Sequence, residues 1–489
     1  MISGSISPVL PIIVAFLAAF AALVLKGRLG KIIVLTAAVL DSILVLSLLP
    51  KVLNGDVLVY TLPASTRLSR VFSVSFRADP LGEFFAVLTT GMWMLITVYM
   101  IGYMDESKMK DQGRFLFAFT SAVAAGLGLG FSANLFTFFI FYEIFTISIY
   151  PLIIHNESDS AARAGRKYLL YSLFGGSLIL SSSIMTYLLA GDLTFSDTGI
   201  LQGAASNGML QILFTAFALG FGVKSAIMPL HGWLPDVMNA PIPANALLAT
   251  VEAGVLGFAR LVYNIYGVDL MRELGLWLPL AAAAAVSIIA ASFYALKQDN
   301  IKQRLAYSTV SQLSYVVLGI ALLTPSAGLG GLVHIAHQAV IKSTLFFAAG
   351  AIFLQTGKTN FSEFKGLARE MPLTMAAFTV AALGIIGFPP FAGFITKWYL
   401  SLGSLEAGQP VFLVVILFSA FLNAIYFLPP IYTAFSRDPD AAEVVRRDPS
   451  KLILAPMIIT AIYVIVLGIF ANLPYGPLAL VEMAVSMFI

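Results

Sequence analysis

The stretch Gly222-Val223-Lys224-Ser225-Ala226-Ile227-Met228-Pro229-Leu230-His231 sets a lysine in an apolar run, with a proline five positions behind it. Proline lacks an amide donor, and its ring clashes with the carbonyl four residues back, here that of Ser225. A helix through this run is expected to break about one turn after Lys224. Inside a bilayer such a break survives only where protein or a hydrated cavity satisfies the freed carbonyls. The reading of Lys224 therefore turns on whether the run lies in a membrane.

Composition answers that question. Of 489 residues, 59% are hydrophobic and 11% charged, whereas a soluble domain carries about a quarter charged residues. At about 20 apolar residues per span, this content supplies about fourteen helices. It excludes a soluble enzyme, a nucleic-acid binder and a disordered chain. The net charge of +3 is too small to argue for a polyanionic partner. With no cysteine, disulfides, iron–sulfur clusters and thiolate metal sites are ruled out in this chain. The four histidines form no metal motif, and no ligand set for haem or flavin is present, so no cofactor, metal or redox centre is expected.

Apolar runs begin near residues 8, 32, 80, 114, 133, 168, 209, 243, 275, 305, 328, 373, 411 and 452. The first lacks a basic start and a cleavage site and reads as a retained span. Short cytoplasmic loops collect Lys and Arg. Connections 1-2, 3-4, 5-6, 9-10, 11-12 and 13-14 hold three, three, three, three, three and four of them, nineteen in all. The other side holds six: Lys51, Arg67, Arg70, Arg77, Arg260 and Arg272. This alternation places both termini on the outer side. The long outer connection at 51–79 contains Val57-Leu58-Val59-Tyr60 and the alternating Val71-Phe72-Ser73-Val74-Ser75-Phe76, which predict a small hairpin.

Glu143, Lys224, Glu252, Lys342 and Lys397 fall inside spans, where each charge costs about 2.5–3.5 kcal/mol on insertion scales. Buried ion pairs that only lock helices would be one explanation. Three lysines against two acids leave at least one lysine unanswered, and such a group tends to give up its proton. The run Gly384-Ile385-Ile386-Gly387-Phe388-Pro389-Pro390-Phe391 repeats the proline break in helix 12, with Lys397 following. Two broken helices, each bearing a lysine, fit a transporter built from repeats. In helix 11, His334, Gln338 and Lys342 share one face at i, i+4 and i+8, with His337 on an adjacent stripe. Histidine titrates near neutrality, so this ladder suits a proton relay. Ser308, Thr309, Ser311, Gln312 and Ser314 offer further relay groups or helix–helix hydrogen bonds. Asp41 reads as a group facing a partner subunit and Glu83 as a helix cap.

The motifs themselves carry a resemblance. Lys224 to Asp236, Ala240-Pro241-Ile242-Pro243-Ala244-Asn245-Ala246-Leu247-Leu248, Tyr142-Glu143, Asp299 to Thr309, Lys342-Ser343-Thr344-Leu345-Phe346, Gly366-Leu367-Ala368-Arg369 and Phe388 to Phe394 occur in order along the chain. Together they resemble the antiporter-like subunits of respiratory complex I and of Mrp-type sodium/proton antiporters. The ending soon after helix 14 and the placing of His337 look most like the Mrp D subunit and its counterpart in membrane-bound hydrogenases and sulfur reductases. The resemblance implies an all-α polytopic membrane protein of about fourteen transmembrane helices, with helices 4 to 8 and 9 to 13 as inverted five-helix repeats and helices 7 and 12 broken at Pro229, Pro389 and Pro390. The corresponding domains are 1–110, 111–268, 269–436 and 437–489. It also implies a hydrated polar axis through Glu143, Lys224, His334, Lys342 and Lys397. Glu252 departs from it, standing where many members have a basic residue.

The expectation is a proton-translocating subunit in the cytoplasmic membrane of a prokaryote, with other membrane subunits, protons and the lipid bilayer as its partners. Its proton sites are Glu143, Lys224, Glu252, His334, His337, Lys342 and Lys397. The sequence leaves open whether sodium passes through this chain, and whether the complex is a pure antiporter or redox driven. A stand-alone transporter of a small solute and a passive scaffold are the rival readings.

Overall fold

The computed structural model describes residues 2–25, 27–63, 73–436 and 446–489. Of the topology-setting residues, Lys26, Arg67, Arg70 and Arg437 fall outside that range, as do residues 71–72 of the expected hairpin. Ten of the described helices are long and apolar enough to cross a membrane, which identifies a multi-pass membrane protein.

The bundle opens with α1 (Leu10–Val24), α2 (Arg28–Leu46) and α3 (Pro80–Glu106). Between α2 and α3 lies the hairpin. Strand β2 (Leu58–Thr61) pairs antiparallel with β3 (Ser75–Ala78) in the register Val59 to Arg77, and β1 (Ile2–Ser3) adds to β2 in parallel. Next come α4 (Gln112–Gly130), α5 (Leu135–Ile153), α6 (Asp159–Ala190), α7 (Asn207–Lys224) and α8 (Ile242–Tyr266). They are followed by α9 (Trp277–Leu296), α10 (Ile301–Ala321) and α11 (Pro325–Thr356). The chain continues as α12 in two pieces (Pro372–Ile386 and Ala392–Glu406), α13 (Pro410–Phe435), α14 (Lys451–Ile469) and α15 (Pro477–Phe488). The sequence did not announce α15, which packs on α3 and α11.

Local signals explain the boundaries. Asn134, Ser158, Asn300 and Thr324 each accept an amide hydrogen bond at the head of a helix, as N-caps do. Two devices recur along the chain. The 32-residue α6 and α11 both end on a glycine at positive φ, Gly191 and Gly357. The caps Asn134 and Asn300 each form a β-bridge to the loop just beyond one of those ends, at Thr194 and Asn360.

Outward-facing positions are dominated by large apolar side chains such as Leu17, Leu170, Ile212 and Val414, as lipid contact requires. Asp41 is fully buried within the chain and so does not present itself to a partner. Glu83 occupies the first turn of α3, while the cap itself is Asp79, whose carboxylate accepts from the Gly82 amide at 2.7 Å.

Candidate functional site

Helix α7 ends at Lys224, about one turn earlier than the break expected ahead of Pro229, whose ring would clash with the Ser225 carbonyl. Ala226 takes a positive φ, and the indole of Trp233 donates to the Val223 carbonyl at 2.8 Å, answering one of the carbonyls released by the break. The Lys224 ammonium turns back onto α5. It donates to the Tyr142 carbonyl at 2.8 Å and to the Thr146 hydroxyl, and it lies 3.6 Å above the Tyr142 ring, a favourable cation–π placement. Glu143, on the same helix, makes no ion pair among the described residues. Its carboxylate packs instead against Gly176 of α6, where a Cβ would meet Oε1 at 2.2 Å.

The sequence missed a second break. Helix α8 is helical over Ile242–Leu248 and Ala253–Ala259, with an interruption between that no proline marks, and its last turns, Arg260–Tyr266, are π-helical. Glu252 closes the interruption as the residue before Ala253. It is buried, and neither carboxylate oxygen has a hydrogen-bond partner among the described residues. Gly254 presses the broken part of α8 onto the broken end of α7: a Cβ there would stand 2.3 Å from the Ser225 nitrogen. The two breaks thus meet. Lys224, Glu252 and Thr309 supply polar groups to one small cavity of about 20 Å³, walled by Phe145, Tyr168 and Trp233; that is room for about one water molecule.

Thr309 carries this cavity toward the second half of the chain. Its hydroxyl donates to the Leu305 carbonyl at 2.8 Å, and the same carbonyl accepts from the Lys342 ammonium at 3.2 Å. Lys224 meets a matching arrangement, because Thr146 also donates to the Tyr142 carbonyl, at 3.0 Å. In each case a lysine rests on a helix carbonyl already engaged by the threonine one turn on.

The face shared by His334, Gln338 and Lys342 is fully buried on α11, but among the described residues no side-chain hydrogen bonds link the three along it. His334 contacts Gln312 at 3.0 Å and Thr396 at 3.1 Å, and His337 contacts the same Thr396 hydroxyl at 2.9 Å. The two histidines therefore converge on the neighbour of Lys397, not on its ammonium. Lys397 donates to the carbonyls of Ile385 and Ile386, the last residues before the α12 break, where a cation suits the helix C-terminus. Gly387, at positive φ, leaves room for it, since a Cβ there would meet the Lys397 stem at 2.6 Å. The α7 and α12 breaks each hold a cis prolyl bond, at Pro229 and at Pro390.

At the hairpin end lies a charge cluster that includes Arg77 and Arg260, two of the basic residues counted on the outer side. Arg260 donates to both carboxylate oxygens of Asp79, at 2.7 and 2.9 Å, and Arg77 bridges Asp79 and Asp197. Burial pushes the Asp79 carboxyl up, but Arg260 and Arg77 outweigh it and hold the group down at about 2. This clamp joins the end of β3 and the head of α3 to the π-helical end of α8.

Comparison with known proteins places these features. The family described as NADH:quinone oxidoreductase/Mrp antiporter, TM, matches residues 132–423. NADH-quinone oxidoreductase subunit N of Desulforudis audaxviator (strain MP104C) is 35% identical over 413 residues, which cover 80% of this chain and 81% of the relative. Hydrogenase-4 component B of Escherichia coli (strain K12) is 28% identical over 80% of this chain, which spans only 62% of that protein's length. Among solved structures, a chain of the membrane-bound sulfane sulfur reductase, an archaeal respiratory membrane complex, superposes with a TM-score of 0.89 at 23% identity, covering 99% of this chain and 98% of its own.

Proposed function

Because the chain belongs to the NADH:quinone oxidoreductase/Mrp antiporter transmembrane family, we propose that it is the proton-translocating, antiporter-like subunit of a multisubunit ion-pumping membrane complex. The complex would be an Mrp-type cation/proton antiporter or a related redox-driven pump. The observation that carries this reading is the meeting of two helix breaks at one cavity shared by Lys224 and Glu252. Buried charges are costly in a membrane and are kept where ions pass.

In this proposal a proton enters near Glu143 and Lys224 and crosses the cavity to Glu252. It then passes by Thr309 to Lys342, with His334 and His337 alongside, and leaves through Lys397. Among the described residues Lys224 has no carboxylate clamped to it; its ammonium rests on the Tyr142 carbonyl, the Thr146 hydroxyl and the Tyr142 ring. Fourteen spans, two inverted five-helix repeats bounded near 111–268 and 269–436, and both termini on the outer side complete the reading. The paired 32-residue helices and the paired asparagine bridges support the repeats.

The test is replacement of Lys224 or Glu143 by alanine in the intact complex, followed by proton uptake in inverted membrane vesicles. The expected outcome is loss of translocation with assembly preserved. Normal pumping in both variants would remove the proposal. A scaffold role predicts instead that exchanging the two charges preserves assembly and activity alike.

A further inference from the structure

Lys397 is joined to the rest of the protein by a route that the histidines do not provide. The Ile385 carbonyl that accepts from Lys397 at 3.0 Å also accepts from the side-chain amide of Asn423 on α13 at 3.4 Å. The amide oxygen of Asn423 is hydrogen-bonded to the hydroxyl of Tyr426, one turn along α13. That hydroxyl is in turn 3.3 Å from Ser308 on α10. Ser308 lies between Leu305, whose carbonyl holds Lys342, and Thr309, which faces the cavity of Lys224 and Glu252. Asn423, Tyr426 and Ser308 are all essentially fully buried. Arg304 pins the turn by donating to the Tyr426 carbonyl at 2.6 Å.

A phenol has one proton to donate. Tyr426 stands within reach of two acceptors on different helices, so it serves Asn423 or Ser308 at any moment, but not both. When it serves Asn423, the amide is fixed and occupies part of the Ile385 carbonyl. Were it to turn to Ser308, the amide would be released and the carbonyl left to Lys397. We propose that Asn423 and Tyr426 are positioning residues of the Lys397 site. On this proposal they form a two-position switch by which the state of α10, where Lys342 is anchored, sets how firmly the α12 break holds the Lys397 ammonium. The titratable groups around that ammonium are Tyr315 on α10, whose ring centre is 5.7 Å away, His334 and His337 on α11, reached through Thr396, and Tyr426 itself.

This inference rests on the proposed role of Lys397, and the test separates the two. In the whole complex, Lys397→Ala, Tyr426→Phe, Ser308→Ala and the Tyr426→Phe/Ser308→Ala pair are compared for proton translocation across a range of pH. Phenylalanine keeps the ring and its packing, so Tyr426→Phe is expected to assemble normally, to slow translocation about tenfold and to move the midpoint of its pH profile. The double variant is expected to be no slower than Tyr426→Phe alone, because both changes cut one link. Full activity in Lys397→Ala would overturn the reading on which the switch rests. Loss of activity in Lys397→Ala, together with an unmoved pH profile in Tyr426→Phe or multiplying effects in the double variant, would overturn the switch alone.

Discussion

Replacing Gly254 by alanine probes the contact that brings the α7 and α8 breaks together. The new Cβ would lie 2.3 Å from the Ser225 nitrogen, 2.6 Å from the Lys224 carbonyl carbon and 2.6 Å from the Ser225 hydroxyl. Heavy atoms prefer roughly 3.5 Å or more, so the two backbones must separate by about 1 Å. Two of the three atoms belong to the α7 backbone, which cannot swing aside as a side chain would. Overpacking of this kind costs about 1–3 kcal/mol, a tolerable loss for a bundle of this size. The functional effect is expected to be larger, because displacing a reacting group by about 1 Å can cost roughly a hundredfold in rate. Gly254→Ala is therefore predicted to assemble, to melt a few degrees lower and to lose between ten- and a hundredfold of its proton translocation. Gly91→Ala on α3 is the control: a Cβ there meets nothing within 4 Å, so uptake should match the parent and melting should hold or rise slightly, as loss of a helix-interior glycine stabilises. Thermal melting in detergent and proton uptake in vesicles measure the two quantities. Parental melting and parental uptake in Gly254→Ala would refute the close approach of the two breaks.

Glu252→Gln removes a buried proton-binding carboxyl, whose oxygens lack hydrogen-bond partners among the described residues, while keeping the shape of the side chain. An amide cannot take up and release the proton that the proposed route passes through Glu252, so translocation should fall at least tenfold while the melting temperature holds; a fall in both would point to a purely structural carboxylate. Asp79→Asn tests the clamp at the hairpin end through its pH dependence. The Asp79 carboxyl is held at about 2 in the folded chain, below its ordinary value of 3.8. Its contribution, of order 2 kcal/mol, is present above pH ~4 and lost as pH falls through ~2. The melting advantage of the parent over Asp79→Asn should therefore be constant near neutrality and shrink on acidification below pH ~4. An advantage that persists unchanged at the acid end would show that the carboxylate is not held by Arg260 and Arg77.

The sequence by itself determined the solvent of this protein, the two proline breaks and the short list of charges inside spans. These are local properties: an apolar run, a missing amide hydrogen and a charged side chain need no neighbours to be recognised. Pro229 follows the end of α7, which comes about a turn earlier than the residues alone suggested, and Pro389-Pro390 lie between the two pieces of α12 ahead of Lys397. Only the tertiary structure decided what each charge touches. Lys224 rests on Tyr142 and Thr146 rather than on Glu143, His334 and His337 meet at Thr396 rather than along their own helix, and Lys397 shares the Ile385 carbonyl with Asn423. The break in α8 belongs to the same class. No proline marks it, and Gly254 acquires its meaning only when α7 lies against it. Arg77 and Arg260, counted in the sequence as residues of one membrane side, became with Asp79 a buried clamp for the same reason. Backbone carbonyls are invisible in a sequence because every residue has one, and which of them is free, and which side chain reaches it, is fixed by how the helices pack.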